Sequence, residues 1–171
     1  MNKYLVLLLK PLLIIRRNHA LEHATLNLLA ARGEGSRLAG YSDKDGFWVV
    51  GEISTELLQT TAQEALTRLR SGEVGLAIHP GCGTNYAASG AAAGFAAWLG
   101  MLGVGKGFRR KIDRLPTVIL LATVTLMIAQ PLGPYLQKEF TTDPKVGSLQ
   151  IMEITRYLRS GTPLHRIRTH I

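Results

Sequence analysis

The sequence predicts an α+β fold joined to a two-helix membrane hairpin, and three patterns carry that prediction. Helical and β-type segments alternate over the first 84 of the 171 residues. Two apolar blocks without a charged residue follow, over residues 86–104 and 116–136, and each has about the 20 residues that a helix needs to cross a hydrocarbon core. The remaining segment has the composition of a second β-hairpin.

The first predicted element is a helix over residues 11–32. Pro11 suits the first turn of a helix and Gly33 suits its end. The apolar run over residues 4–15 is too short to span a bilayer and is typical of a segment lying at the membrane surface. This helix therefore begins beside the membrane and carries two histidines in its middle.

A hairpin, a second helix and a strand complete the first module. Residues 37–41 and 46–51 flank a turn rich in Ser, Asp and Gly, which predicts a β-hairpin. Ser54 can cap a helix that runs to Arg70 with one apolar face. Residues 74–79 predict a short strand that leads into a Gly-rich turn.

The two apolar blocks predict a pair of transmembrane helices around a short basic loop. The second block is dense in Leu, Ile and Val, whereas the first is rich in Ala and Gly. Gly90 and Gly94 fall on one face of the first helix, and this spacing lets a partner helix or a second copy of the chain approach closely. The alternative is a buried helical hairpin in a soluble protein.

The tail predicts a hairpin that packs on the first module. Residues 149–159 and 164–171 flank a turn that contains Gly and Pro. The domain prediction is therefore an α+β module over 1–84, a transmembrane hairpin over 85–137, and a β-hairpin tail over 138–171. His165 and His170 in this Arg-rich tail are predicted to be solvated.

Charge points to lipid rather than to nucleic acid. The chain carries a net charge of +8, and the loop over residues 105–115 has five cations against one carboxylate. These cations lie beside apolar spans without interleaved aromatic residues, so membrane lipids with anionic headgroups are the expected partner and nucleic acid is not. A single cysteine excludes an internal disulfide and favours a reducing compartment. We expect an integral protein of the bacterial inner membrane with its polar parts in the cytoplasm.

His19-Ala-Leu-Glu22-His23 is the first candidate for chemistry. Positions four apart lie on one face of a helix, so His19 and His23 can direct ring nitrogens at one ion with Glu22 beside them. This is the H-x-x-E-H order in which the histidines bind zinc and the glutamate serves as general base towards a metal-bound water.

The second candidate is His79-Pro-Gly-Cys82-Gly, a Gly-containing turn that resembles a zinc knuckle with His in place of the first Cys. Such a turn can present two ligands to one ion. His19, His23, His79 and Cys82 would form a tetrahedral zinc set. If all four bind, the site is closed and structural; if three bind, a water can occupy the fourth position and Glu22 can take its proton.

An interpretation without metal stays open. Two helical histidines can simply hydrogen-bond to the backbone or to Glu22, and Cys82 can be a small buried hydrophobic residue.

Two resemblances follow from these residues. The H-x-x-E-H motif resembles that of the insulinase-like inverted zincins over five residues, which implies His19 and His23 as ligands and Glu22 as base; the further acidic ligand of that family has no match here. The whole chain, with "NHALEHAT" and "HPGCGTN" before a membrane hairpin, looks like a bacterial membrane-protein family of unknown function.

Two functional hypotheses result. The first is a membrane-anchored, zinc-dependent hydrolase, possibly a peptidase, that uses these ligands and Glu22. The second is a non-catalytic membrane subunit or assembly factor, in which the same residues form a structural site or bind no metal and the Gly90/Gly94 face docks on partner helices.

Overall fold

The α+β prediction is confirmed by a computed structural model that describes residues 3–34 and 37–171. Its helices are α1 (Lys3–Ala31), α2 (Thr55–Arg70), α3 (Gly83–Met101), α4 (Phe108–Ile128) and α5 (Leu132–Leu136), and its strands are β1 (Ala39–Asp43), β2 (Gly46–Val50), β3 (Gln150–Arg159) and β4 (Thr162–His170). The chain divides into two compact units, Met1–His79 with Gln137–Ile171, and Pro80–Leu136.

The first unit is an antiparallel sheet of order β1-β2-β4-β3 with α1 and α2 packed on one face. β4 pairs with β2, with Val49 opposite His165, so the tail hairpin extends the sheet begun by the first hairpin. The fully buried large apolar side chains come from both helices, from the sheet and from the segment before β3: Leu21, Leu29, Phe47, Val49, Leu58, Leu66, Val146, Leu149 and Ile167.

Helix α1 differs from its predicted start. It begins at Lys3 and contains Pro11 within it, whereas the sequence predicted a start at Pro11. A proline removes one amide hydrogen from a helix, and here the helix continues past that lost bond. Its C-terminal end agrees with the prediction: Gly33 has a φ of 82° and the Glu34 amide donates to the Leu29 carbonyl, which closes the last turn.

Helix α2 agrees with the prediction, but the strand predicted after it is wrong. The Ser54 side chain accepts from the Leu57 amide and caps the helix. Val74–Ala77 then form a 3₁₀ turn. Bonds from the Leu76 amide to Glu73 and from the Ile78 amide to Gly75 hold this turn, so these residues bond locally rather than to a neighbouring strand.

His165 is completely buried, which corrects the prediction that it is solvated. Its Nε2 lies 3.1 Å from the Thr55 hydroxyl. Burial lowers the pKa of His165, Arg156 adds to that effect, and Glu52 and Glu56 oppose it. His170, at the end of the same strand, is exposed. Alternation along β4 places the two histidines on opposite faces of the strand, but only the packing of the helices on the sheet decides which face is covered.

We therefore expect the stability of the first unit to fall as the pH drops below about 6.5. Below that value the unfolded His165 takes up a proton that the folded form resists, which costs at most about 1.4 kcal/mol per pH unit. The check is the thermal midpoint of the full chain in detergent from pH 7.5 to 5.0. His165→Gln should reduce this pH dependence and His170→Gln should leave it unchanged. Equal slopes in wild type and His165→Gln would contradict the assignment.

The second unit is a helical hairpin of α3 and α4 followed by α5. Gly100 lies at the close approach of the two long helices, where a methyl group would meet Leu121 and Val118 at 3.1–3.2 Å. Gly90 and Gly94 have open space at the corresponding distance, so their predicted role in binding a partner helix stays a prediction. Cys82 is the N-cap residue of α3.

The predicted second span is divided into two helices. α4 begins eight residues earlier than the apolar block, at Phe108, and ends at Ile128 before Pro131. Within the described residues, no single helix has the length and hydropathy of a membrane span, but Phe108–Ile128 and Leu132–Thr141, bent by 51° at their junction, meet those criteria together. The transmembrane hairpin is therefore a proposal and not a finding.

Candidate metal centre

The two histidines of α1 lie where the helix contacts two segments of the same unit, one containing Ala77 and the other Thr141. His23 is 1% exposed, and the ring centroids of His19 and His23 are 4.1 Å apart. Their ligand nitrogens lie within 4.8 Å of one another. The structure therefore brings the two helical histidines together on one face, as their spacing of four residues predicts.

The hydrogen bonds of these two rings fix the position of their protons. Nδ1 of His23 lies 2.7 Å from the Ala77 carbonyl oxygen, and Nδ1 of His19 lies 2.9 Å from the Thr141 carbonyl oxygen. A carbonyl oxygen can only accept, so each Nδ1 must donate. In the neutral ring Nε2 then carries the lone pair, which is the tautomer that a metal-binding histidine needs.

Nε2 of His23 is the most informative atom of the site. It is buried and, among the residues that the structure describes, has no hydrogen-bond partner. A buried polar atom left unsatisfied costs about 1–3 kcal/mol, so such atoms are rare in native proteins and need an explanation. A bound cation is one partner that would satisfy this lone pair.

His79 joins the same neighbourhood from the segment after the 3₁₀ turn. Its ring centroid lies 5.6 Å from that of His23, and its Nδ1 lies 2.7 Å from Oδ1 of Asn27. Asn27 donates from its amide nitrogen to the carbonyls of Leu76 and Ile78, so its oxygen faces His79 as an acceptor. Burial, and then the neighbouring His23, lower the pKa of His79, which favours its neutral form.

Glu22 faces the inner side of β1. It is 4% exposed, and the Ser42 hydroxyl donates to its Oε2. A methyl group at Gly40 would overlap the carboxylate, so this position on β1 has to be glycine for the glutamate to fit. Burial raises the pKa of Glu22, while the hydrogen bond from Ser42 and the nearby His19 act in the opposite direction.

Two arginines hold the segment that binds His19. Arg16 donates to the carbonyls of Glu139 and Thr142, and Arg17 forms an ion pair of 3.2 Å with Asp143. The π-helical turn Gln137–Thr141 is thereby fixed against α1. Gln137 binds both the amide and the carbonyl of His79 through its side chain, so one short turn positions two of the three histidines.

Cys82, the fourth predicted ligand, belongs to the second unit and is the N-cap residue of α3. It follows His79 by three residues, and its role as a ligand stays a prediction.

Residues 14–154 match the family described as Domain of unknown function (DUF6391). The chain belongs to this DUF6391 family. The match includes His19, Glu22, His23, His79 and Cys82, whereas β4 lies outside it. The expectation of a bacterial family of unknown function is confirmed at that level.

This DUF6391 chain is also 36% identical to an uncharacterized protein of Picosynechococcus sp., over 94% of its own length and 81% of that relative. No solved structure matches the chain. Because neither description includes an activity, the case for function depends on the geometry of the site.

Several residues that build the site were not predicted from the sequence. Asn27 could have been noticed, because it follows His23 by four residues and so lies on the histidine face of α1. The roles of the Ala77 and Thr141 carbonyls could not have been predicted, because every residue has a backbone carbonyl and residue type does not show which ones accept. Ser42 and Gly40 could be assigned only once β1 was known to pack on α1.

Proposed function

We propose that this protein is a membrane-anchored, zinc-dependent hydrolase, with peptides as its substrate class. The observation that carries the proposal is the buried, unpartnered Nε2 of His23, one helical turn from His19, whose ring has the same tautomer. Two zinc-bound nitrogens at 2.0–2.1 Å from the ion lie about 3.3 Å apart in a tetrahedral site, and the separation of these two residues allows that distance.

His79 supports the ligand set as a third imidazole. All three rings donate from Nδ1 to a carbonyl oxygen of the backbone or of an amide. This arrangement of outer hydrogen bonds orients metal-binding histidines and raises their basicity. Cys82 follows His79 by three residues, a spacing that suits a fourth ligand. If Cys82 does not bind, a water can occupy the fourth position.

Glu22 supports the catalytic form of the proposal. Its carboxylate is buried beside His19 and is held from the far side by Ser42. With a zinc-bound water present, a carboxylate in this position would accept the proton of the water, and the metal supplies the lowered water pKa that makes this transfer possible near neutral pH.

One observation favours the rival, a non-catalytic subunit with a structural site. Glu22 already accepts from Ser42 and lies closely against Gly40, so the same contacts would also suit a carboxylate that only fixes α1 to β1. If His79 and Cys82 both bind, the coordination sphere is complete and no water is held.

The membrane part of the proposal is supported by the surface of the second unit. Large apolar side chains project outward along both long helices and α5, among them Phe95, Trp98, Ile119, Leu120, Met127, Ile128 and Tyr135, each more than half exposed. Soluble monomers rarely expose contiguous apolar patches of more than a few hundred Å². A lipid environment would cover such a surface, which supports the proposed location in the inner membrane.

The test of the proposal is the metal content of the detergent-purified full chain, prepared without a polyhistidine tag and measured by elemental mass spectrometry. We expect about one zinc per chain and a peptide-hydrolysing activity that chelation removes and zinc restores. A folded protein without metal would overturn the whole proposal. One tightly bound zinc without hydrolysis of a broad peptide library would favour the structural rival.

A second prediction concerns Asn27. Asn27→Ala removes the acceptor of His79 and the donors that hold residues 76–78, so we expect zinc affinity to fall about 10–100-fold, the usual effect of losing an outer hydrogen bond. Asn27→Asp keeps the oxygen that faces His79 and should lose less. The measurement is a competition titration with a chromophoric chelator. Equal affinities for wild type and Asn27→Ala would contradict the role of Asn27 in positioning His79 for zinc.

A further inference from the structure

The turn between α3 and α4 carries a compact group of charges that the metal site does not use. A surface cavity of about 380 Å³ opens there, lined by Gly103, Val104, Arg110, Asp113, Arg114 and Thr117. Lys106 in the turn, and Arg109 and Lys111 in the first turn of α4, are exposed beside it. This small region therefore holds five of the cations that give the chain its positive charge.

The two arginines of the cavity are held differently. Arg114 donates from Nε to the Gly100 carbonyl, which fixes its side chain at the end of α3. The Arg110 side chain folds back over the turn, and its guanidinium would lie 3.1–3.7 Å from a methyl group placed at Gly105 or Gly107. Because Arg110 and Arg114 are one helical turn apart, both can reach one anion. Guanidinium groups suit phosphate oxygens through paired hydrogen bonds.

The surroundings of the cavity favour an amphipathic ligand. Phe108, at the first turn of α4, is 81% exposed, and Leu102, Ile112 and Leu115 are between 40% and 50% exposed. A free phosphate would use the arginines and leave these side chains in water. A phospholipid would use both, because its phosphate pairs with the cations and its acyl chains cover the apolar residues.

Asp113 limits which phospholipid headgroups suit the cavity. Its carboxylate lines the same cavity and would repel a bare phosphate monoester, which carries more negative charge than a phosphodiester. A headgroup with hydroxyl groups beyond the phosphate could instead donate a hydrogen bond to Asp113. Phosphatidylglycerol has this combination: one negative charge, a phosphodiester and two free hydroxyls.

We propose that the α3–α4 turn is a binding site for an anionic phospholipid with a hydroxylated headgroup, in which Arg110 and Arg114 bind the phosphate and Asp113 accepts from the headgroup. This inference rests on the membrane location given under the proposed function, and it is independent of zinc. A hydrogen bond to a charged group contributes about tenfold or more to binding, so loss of both arginines should weaken binding by about 100-fold, whereas a cation that only lies near the lipid surface contributes about fivefold.

The experiment uses the full chain in detergent and measures lipids retained in native mass spectrometry as phosphatidylglycerol, phosphatidate or phosphatidylcholine is added. We expect preference for phosphatidylglycerol, its loss in Arg110→Gln/Arg114→Gln, and a smaller change in the matched pair Arg109→Gln/Lys111→Gln, which removes the same charge outside the cavity. Asp113→Asn should shift the preference towards phosphatidate.

Two outcomes would overturn the site. Equal losses in both double variants would mean that the loop attracts anionic surfaces only through its net charge. Retention of phosphatidylcholine as strongly as phosphatidylglycerol would refute selection of an anionic, hydroxylated headgroup, because both lipids contain the same phosphodiester. Zinc content and membrane fractionation are measured on the same preparations: a wild type found outside the membrane fraction refutes the membrane location itself, whereas a membrane-bound protein with no lipid preference refutes the lipid site alone.

Discussion

His23→Ala is expected to abolish zinc binding, reducing the metal content from about one equivalent to near zero. The variant removes the imidazole whose Nε2 is buried without a partner and whose Nδ1 is held by the Ala77 carbonyl. Zinc at 100 times its dissociation constant stabilises a folded protein by about 2.7 kcal/mol. The thermal midpoint of wild type should therefore rise with added zinc, and that of His23→Ala should not.

His170→Ala is the matched control, because it removes an exposed histidine from the same unit. It should keep both the zinc and the thermal response. Circular dichroism would establish that His23→Ala is folded. If folded His23→Ala retained a full equivalent of zinc, His23 would not be a ligand and the site would have to be sought elsewhere.

Glu22→Gln is expected to separate binding from catalysis. Glutamine has nearly the same shape and keeps an oxygen to accept from Ser42, so zinc content should be unchanged. It cannot take a proton as glutamate does, and general-base catalysis typically contributes 10²–10⁴-fold to rate. We therefore expect kcat for peptide hydrolysis to fall by at least about a hundredfold.

Glu34→Gln serves as the control for this variant, because Glu34 is exposed just beyond the end of α1. It should keep wild-type activity. An unchanged kcat in Glu22→Gln would show that the glutamate takes no part in the reaction. Its role would then be to join α1 to β1, as in the rival function.

Local sequence patterns predicted the regular elements well where each pattern was sufficient by itself. The α2 cap at Ser54 and the two hairpins follow from turn and cap chemistry within a few residues. The strand predicted over residues 74–79 was wrong, because the apolar residues of this segment also suit a 3₁₀ turn that packs on a helix. The start of α4 at Phe108 was not predicted either. The first two turns of α4 are strongly basic, and so they lie outside the apolar block from which the helix was predicted.

The pairing of the two helical histidines was predictable from the sequence, and the groups that hydrogen-bond to them were not. Spacing of four residues on a helix is enough to bring His19 and His23 together. Their proton positions depend on Ala77 and Thr141, which are 54 and 122 residues away in the chain. No periodicity reports contacts at that separation, so the tautomers that make the site suitable for a metal emerge only from the fold.

The order of the segments along the chain has a consequence for synthesis. The first unit is interrupted by residues 80–136 and completed by the segment from Gln137 onward. During translation, the hydrogen bond between His19 and Thr141 and the pairing of β2 with β4 can form only after α3 and α4 have left the ribosome. Domains generally fold as units during synthesis, so the candidate site around His19 and His23 can assemble only after α3 and α4 have been synthesised. A nascent chain that ends before Thr141 would lack the carbonyl oxygen that orients the His19 ring.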